Sequence, residues 1–152
     1  MPLPLQIRRA AIRFAYAGLR SYWFVVRPHV VGVKCVVTDG DEVLLVRHTY
    51  GPRDWDLPGG TVKRRELPVD AARREMQEEL GRWIEDWVGF GELHVNMNHH
   101  HNNTHLFHAR VADRELDLDL TELAAGGWFH RDALPPDLAR FVRPILARLT
   151  RP

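Results

Sequence analysis

The sequence has little of several features that would assign it to a specialised class of protein. Its single cysteine, Cys35, excludes a disulfide within the chain and stands in the apolar run VGVKCVV, so we expect a buried, inert thiol and a cytoplasmic protein. The formal net charge is only +1, so any contact with a polyanion has to be local. No apolar run is long enough to span a membrane, and Arg13 and Arg20 interrupt the stretch that resembles a signal peptide.

At 152 residues, with 45% apolar and 27% charged residues, the chain has the length and composition of one globular unit. We expect residues 1–25 to form an N-terminal helical extension and residues 26–152 to form the domain. Residues 6–20 show helical spacing, with an apolar side and four arginines elsewhere. We expect this helix to pack on the domain or on a second subunit of a homodimer rather than on a membrane surface.

The rest of the chain alternates between strand-like and helix-like segments. The runs HVVGVKCVV and VLLVRH enclose an Asp-Gly turn, which predicts a β-hairpin. WVGFGELHVNM and THLFHARV predict a second strand pair, GGWFH predicts a further strand, and PPDLARFVRPILARL predicts a helix interrupted at Pro144. Hairpins in place of regular βαβ repeats favour an α/β fold with a mixed sheet covered by helices over a doubly wound nucleotide-binding fold.

The segment PGGTVKRRELPVDAARREMQEELG predicts a helix that follows a double-glycine loop. Pro68 suits the first helical position, and Gly81 suits the C-terminal end. At about 100° per residue, one stripe of this helix is apolar, and a neighbouring stripe carries Glu75, Glu78 and Glu79. The helix therefore has one side that packs and an adjacent side that presents acid.

The three carboxylates repel one another, so we expect a cation among them. Mg²⁺ takes one or two carboxylates and leaves positions for water and substrate phosphates, and a carbonyl of the glycine loop can complete its shell. The alternative is a solvated acidic face that is paired with Arg73, Arg74 and Arg82. The double glycine, which lets the backbone approach closely, favours the metal site.

The spacing of this segment resembles a known signature. Gly60, five residues, Glu66, seven residues and then REMQEELG are similar to the box of the Nudix hydrolase family. The flanking segments DGDEVLLVRHTYGPRDWDLPGG and LAAGGWFHRDALP also resemble Nudix domains, so the similarity covers about residues 29–136. It implies a Nudix-type α/β/α sandwich around a mixed β-sheet, in agreement with the order of the predicted elements.

The resemblance also implies a reaction and its residues. The reaction is hydrolysis of a phosphoanhydride bond in a nucleoside diphosphate linked to another group, with Mg²⁺, or Mn²⁺ as a substitute. Glu75, Glu78 and Glu79 are the implied metal ligands, together with the carbonyl oxygen of Gly59. The general base differs between members of the family, so Glu78 and Glu122 are both candidates.

Other residues of the box have implied positioning roles. Arg74 is expected to hold a box carboxylate through a charged hydrogen bond, and Glu66 to orient the loop or a metal-bound water. The sequence departs from the family pattern at Arg82, where an aliphatic residue is usual, and at Arg65, where many members have glycine. Neither departure removes a carboxylate, although both bring the local packing into question.

A histidine-rich stretch and two tryptophans have competing interpretations. Short histidine tracts can bind transition metals, and the histidines in question are His94, His99, His100, His101, His105 and His108. Because NMNHHHNNTH falls between two predicted strands, we favour a polar hairpin loop, either in solvent or over the substrate cleft. Trp55 and Trp128 either stack on a nucleobase or belong to the core.

Three functions are therefore considered. The intact acidic helix favours a Mg²⁺-dependent hydrolase of small nucleotides or nucleotide conjugates. Degenerate box carboxylates, which would favour a nucleotide-sensing regulator, are not found in this sequence. The third function is an RNA 5′-end pyrophosphohydrolase, in which arginines of the first helix and VKRRE hold phosphates; RNA is the less favoured partner. The residues around 95–98 carry neither the proline typical of ADP-ribose enzymes nor the tyrosine typical of dinucleoside polyphosphate enzymes.

Overall fold

The computed structural model describes residues 3–26, 28–97 and 100–149 of the chain. In chain order its elements are α1 (Leu5–Val26), β1 (His29–Asp39), β2 (Glu42–His48), β3 (Gly59–Thr61), α2 (Pro68–Leu80), β4 (Val88–Met97), β5 (His100–Arg110), β6 (Leu123–His130) and α3 (Val142–Ala147). The predicted hairpin is confirmed as β1 and β2, and the predicted acidic helix is α2.

The strands form one mixed sheet in the order β4-β5-β1-β2-β6. The central strand β1 runs parallel to β5, whereas the other pairs are antiparallel. β1 pairs with β2 only at Thr38 and Asp39, and its residues Gly32 to Lys34 pair instead with the short strand β3. The glycine loop is thereby fixed to the central strand through backbone hydrogen bonds.

The apolar residues of β1 alternate between two cores, as side chains on a strand must. Val33, Cys35 and Val37 pack on the core that contains the buried side of α2. Val36 packs on the opposite core, which contains α3. Helices therefore cover both faces of the sheet, which confirms the predicted sandwich. Burial also raises the pKa of the Cys35 thiol, so this cysteine is unreactive.

Several element boundaries differ from the sequence predictions. α1 continues to Val26, beyond the predicted end at residue 20. The aromatic and β-branched residues at its C-terminal end are helical despite their lower helix propensity. α3 is short and contains Pro144 in its first turn, where a missing N–H costs little. In the described residues, no helix is both long and apolar enough to cross a membrane. The division into extension and domain stays a prediction.

Candidate active site

The acidic cluster lies on α2, which begins and ends where the sequence indicates. Pro68 occupies the start of the helix, and Gly81 ends it with a left-handed φ of 62°. Glu79 is buried at 2% exposure beside the apolar stripe. Glu75 is half-buried and Glu78 is exposed. The three carboxylates therefore extend from the core to the solvent.

The double glycine brings the loop backbone against both β1 and α2. Gly59 has a φ of 148°, and a Cβ there would overlap the carbonyl oxygen of Val33. A Cβ on Gly60 would overlap the carboxylate of Glu75. Close packing is thus the physical reason for both glycines, and it places the first carboxylate of the cluster directly against the loop.

Arg74 joins the exposed part of the cluster to the loop. Its Nε and Nη2 donate to the two carboxylate oxygens of Glu66 at 2.8 and 3.0 Å, and Nη2 also donates to the carbonyl of Thr61 at 2.9 Å. Its Nη1 lies 2.7 Å from Oε1 of Glu75 and 3.1 Å from Oε2 of Glu78. The hydrogen bonds from Arg74 are the main reason that the pKa of Glu66 falls to about 2.

Glu79 has the most unusual surroundings of the three carboxylates. Its Oε1 lies 3.3 Å from Nε2 of His48, whereas its Oε2 has no hydrogen-bond partner among the described residues. A buried carboxylate oxygen without a partner is costly and calls for a ligand. His48 was not among the predicted site residues, because it belongs to no motif. It ends β2 next to Arg47, where the pairing with β6 shifts register.

The cluster meets some requirements of a hard cation. The unpaired oxygen of Glu79 and the loop backbone against Glu75 are oxygen-rich features of the kind that Mg²⁺ binds. Burial raises the pKa of Glu75 above its ordinary value, although the hydrogen bond from Arg74 opposes that rise. Over residues 3–26, 28–97 and 100–149, no three acidic, histidine or cysteine side chains converge as a ready-made metal cage. Arg74 already serves as counterion to Glu75 and Glu78, so ligation requires these carboxylates to reorient.

Glu122 lies close enough to α2 for its charge to be coupled to the cluster. Burial raises the pKa of Glu122, and the charge of Glu79 raises it further. Burial also raises the pKa of the Tyr50 phenol, and the charge of Glu122 adds to that effect. The backbone N–H of Thr49 donates to the carbonyl of Glu122 at 2.8 Å, which joins the end of β2 to the start of β6. Glu122 therefore remains a candidate general base.

A cleft of about 500 Å³ opens beside the cluster. His48 and Gly59 line it near the carboxylates. Of its other charged groups, Lys34 is paired with Asp56 at 2.6 Å, and Asp54 and Arg140 add one charge of each sign. Its apolar lining consists of Leu93, Val95, Leu138, Phe141 and Ile145. This volume and mixture of apolar and polar groups suit a small organic ligand.

α1 forms one wall of this cleft. Tyr16 lines the cleft, with its ring centroid 5.2 Å from that of Tyr50. Gly51 is needed beneath it, because a Cβ there would lie 3.0 Å from the Tyr16 hydroxyl oxygen. Arg9 and Arg13 donate to backbone carbonyls in the segments that precede β6 and follow β2, at 2.8 and 3.0 Å. These contacts were not foreseen in the sequence, since they depend on where α1 packs.

The histidine-rich stretch lies mainly in strands, so the predicted loop is wrong. The antiparallel pairing of β4 with β5 continues as far as Met97 and His100. His99 and the side chain of His100 lie outside the described part of the chain. The other predicted histidines lie in three places: His94 and His105 lie near Glu92, His101 stacks on His29, and His108 bonds with Thr38.

The two tryptophans take part in packing. Trp55 meets Phe129 edge-on at 4.8 Å and lies under the guanidinium of Arg47. Trp128 lies under the guanidinium of Arg114, at 5.1 Å. Neither tryptophan is among the described residues that line the cleft, so the structure supports the core interpretation for both.

The mixed sheet between helices, the double-glycine loop and the acidic helix together define the Nudix fold and its box. The chain belongs to the Nudix family, because the family model of the NUDIX domain matches residues 28–149. The fold is similar to a MutT NUDIX hydrolase from Burkholderia pseudomallei, with a TM-score of 0.73, 28% identity and coverage of 80% of this chain and 98% of that one. A MutT protein from Methanosarcina mazei has the same fold, with a TM-score of 0.69 at 22% identity, over 81% of this chain and 94% of that one.

Two curated relatives share shorter stretches of sequence. NAD-capped RNA hydrolase NudC from Pseudomonas aeruginosa is 32% identical over 102 residues, which are 66% of this chain and 36% of the relative. Diphosphoinositol polyphosphate phosphohydrolase 2 from Rattus norvegicus is 51% identical over 41 residues, which are 27% of this chain and 23% of the relative. The chain thus spans well under half the length of both relatives.

Proposed function

We propose that this chain is a divalent-cation-dependent pyrophosphohydrolase of small nucleotide conjugates. The bond cleaved is a phosphoanhydride in a nucleoside diphosphate linked to another moiety, such as a nucleotide or a sugar. The observation that carries the proposal is Glu79, whose buried Oε2 lacks a hydrogen-bond partner among the described residues. Membership of a family whose hydrolases generally use divalent ions supports the same conclusion.

The proposed metal ligands are Glu75, Glu78 and Glu79, with the carbonyl oxygen of Gly59. When bound, Mg²⁺ or Mn²⁺ neutralises phosphate charge and lowers the pKa of water, which are the main requirements of phosphoanhydride hydrolysis. The buried position of Glu79 and the contact between the loop and Glu75 fit this assignment.

The other residues of the site are proposed to position the cluster or to accept a proton. Arg74 and Glu66 position the cluster, since their paired hydrogen bonds connect α2 to the loop. Glu78, which is exposed, and Glu122, which feels the charge of Glu79, are the two candidates to receive the proton of the attacking water. The cleft holds the nucleoside, with its apolar lining against the base.

The test is hydrolysis of a broad panel of nucleotide conjugates with Mg²⁺ and with Mn²⁺, read as released phosphate or pyrophosphate. Glu79→Gln is expected to lower turnover by about 10²-fold or more while the circular dichroism spectrum stays unchanged. Glu85→Gln, on an exposed residue after α2, is the matched control and keeps full turnover. An absence of turnover across the panel with either ion would reject the proposal.

The similarity to NudC favours a second candidate, which is hydrolysis at the 5′ end of RNA. The exposed Lys63 and Arg64, inside the box between Gly60 and Glu66, can contact a phosphate chain. Comparison of a free dinucleotide with the same dinucleotide on an RNA end separates the two functions. Faster turnover of the RNA form, lost in high salt, would favour the second candidate, whereas equal turnover favours the small molecule.

A further inference from the structure

α1 exposes an apolar surface that the site does not use. The helix, which is described along its whole length, buries none of its residues. Of the fourteen exposed large hydrophobic side chains in the described residues, eight lie on α1. Phe14 is 84% exposed and Val25 is 80% exposed. Monomeric proteins seldom expose apolar side chains in such a concentration without a partner.

The two most exposed of these side chains lie on the side of α1 that faces away from the domain. At about 100° per residue, Ile7, Phe14 and Val25 fall within about 20° of one another, opposite Tyr16 and Trp23. The domain-facing side is the one that is partly buried. Small and uncharged residues fill the outward side around the large ones: Ala10, Ala11, Ala17, Gly18 and Ser21. This outward surface, centred on Phe14, therefore contains no charged residue.

The charges of α1 lie at the two edges of the outward surface. The helix contains four arginines and no acidic residue, although the whole chain has a net charge of only +1. By the same angular count, Arg8 lies toward one edge of the surface and Arg20 toward the other, whereas Arg13 donates to the carbonyl of Thr49 and is engaged with the domain. An apolar strip with arginines along both edges matches a lipid surface, whose acyl chains take up the strip and whose anionic headgroups meet the arginines.

A second copy of the chain matches α1 less well. Two α1 helices that pack through this surface offer no carboxylate to the arginines beside it. An anionic bilayer supplies the missing negative charge. The helix is about 33 Å long at 1.5 Å per residue, so it can lie along a membrane surface with Tyr22 and Phe24 at one end, where aromatic residues are favoured.

We propose that the outward surface of α1 binds anionic phospholipid bilayers and holds the domain at the membrane surface. The sequence alone favours packing of this helix on protein; its inner side does pack on the domain, and the outward side, with Phe14 and Val25 exposed, is left for a further partner. Because Tyr16 on the opposite side of α1 lines the cleft, the bound helix lies between the bilayer and the cleft. The proposal does not depend on the reaction that the cleft performs.

The test is flotation of the full chain with vesicles of phosphatidylcholine alone or mixed with phosphatidylglycerol. We expect binding only to the mixed vesicles and weaker binding at high salt. Phe14→Glu is expected to lower the vesicle-bound fraction by about tenfold or more, because it places a charge in the apolar strip. The double variant Arg8→Gln, Arg20→Gln is expected to lower it by roughly tenfold as well.

Val88→Glu, at a 65% exposed apolar residue on β4, is the matched control and binds as the unaltered chain does. Phe14→Glu keeps its hydrolase activity in vesicle-free solution, so failure of lipid binding and failure of the proposed hydrolase are read separately. Equal binding to neutral vesicles, or none to anionic ones, overturns the proposal. So does a dimer in sedimentation velocity that Phe14→Glu converts to a monomer, because a second copy then covers this surface.

Discussion

Nε2 of His48 lies 3.3 Å from Oε1 of Glu79, a carboxylate whose other oxygen is buried without a hydrogen-bond partner among the described residues. In the absence of an ion, His48→Ala removes the hydrogen-bond partner that the described residues give to a buried acceptor. We expect it to lower the free energy of unfolding by about 1–3 kcal/mol. In Mg²⁺ the loss should shrink, because the ion takes over the carboxylate.

Urea unfolding in EDTA and in Mg²⁺ measures the free energy of unfolding of the His48 variant without and with the ion. The control is His94→Ala, at a histidine whose side chain is 74% exposed. It should leave the free energy of unfolding unchanged in both conditions. An equal loss in both conditions would show that the ion does not reach Glu79.

The pair of Arg74 and Glu66 predicts a pH dependence of stability. Glu66 has a folded-state pKa of about 2, below its ordinary value of 4.5. Its contribution to stability is therefore fully present above about pH 4.5 and is lost as the pH falls toward 2. Glu66→Gln should have a lower unfolding temperature at neutral pH and a flatter dependence on pH through this window.

Thermal unfolding at several pH values compares this variant with Glu115→Gln, which alters an exposed glutamate away from Arg74. The control should follow the unaltered chain. Parallel curves for Glu66→Gln and the unaltered chain would contradict the stabilising role of the pair.

The two loop glycines should respond differently to alanine. A Cβ on Gly59 meets the Val33 carbonyl and sits at a φ of 148°, so Gly59→Ala should destabilise the fold by at least about 2 kcal/mol. A Cβ on Gly60 meets only the carboxylate of Glu75, which can move aside. Gly60→Ala should therefore fold but lose activity.

Unfolding midpoints and turnover, measured on both glycine variants, check this contrast. A Gly60→Ala enzyme with normal turnover would mean that the position of the Glu75 carboxylate does not matter for the reaction.

Arg65 departs from the family pattern at a position whose backbone favours glycine. Its φ is 66°, in the left-handed region that costs about 1–2 kcal/mol for a residue with a Cβ. Arg65→Gly should stabilise the chain by about 0.5–1 kcal/mol after the entropy of glycine in the unfolded state is subtracted. Arg64→Gly, next to it with no such backbone, should give no gain. Chemical denaturation compares the two, and equal effects would contradict the strain argument.

Tyr16 connects α1 to the cleft, so its side chain should matter for substrate affinity. Tyr16→Ala removes an aromatic wall that lies 5.2 Å from Tyr50. We expect KM to rise by about fivefold to tenfold with a smaller change in kcat. Tyr22→Ala, on an exposed residue of the same helix, is the control. Steady-state kinetics without vesicles measures KM and kcat for both variants. An unchanged KM for Tyr16→Ala would mean that the substrate does not contact Tyr16.

The parts of the fold that follow from local chemistry were predictable. α2 was located correctly because Pro68 and Gly81 are signals that act within the segment itself. β3 escaped notice, since a strand of three residues that includes two glycines has no apolar periodicity. The strand pairing of the histidine-rich stretch also could not be predicted from the local sequence, because its polar side chains do not show the apolar alternation that indicates a strand.

The same distinction applies to the candidate site. The clustering of Glu75, Glu78 and Glu79 follows from helical spacing, whereas the burial of Glu79 alone depends on how α2 packs on the sheet. His48 and Tyr16 approach the cluster from remote segments, and the sequence has no pattern that relates them to it. Tertiary packing supplies these neighbours.

Arg74 gives the cluster a built-in positive charge, through its bonds to Glu66, Glu75 and Glu78. Repulsion among those three carboxylates is therefore reduced as soon as the chain folds, whatever the supply of divalent ions, whereas Glu79 keeps one buried oxygen without a partner among the described residues. Scarcity of an ion would then leave most of the cluster compensated, with the uncompensated charge confined to Glu79.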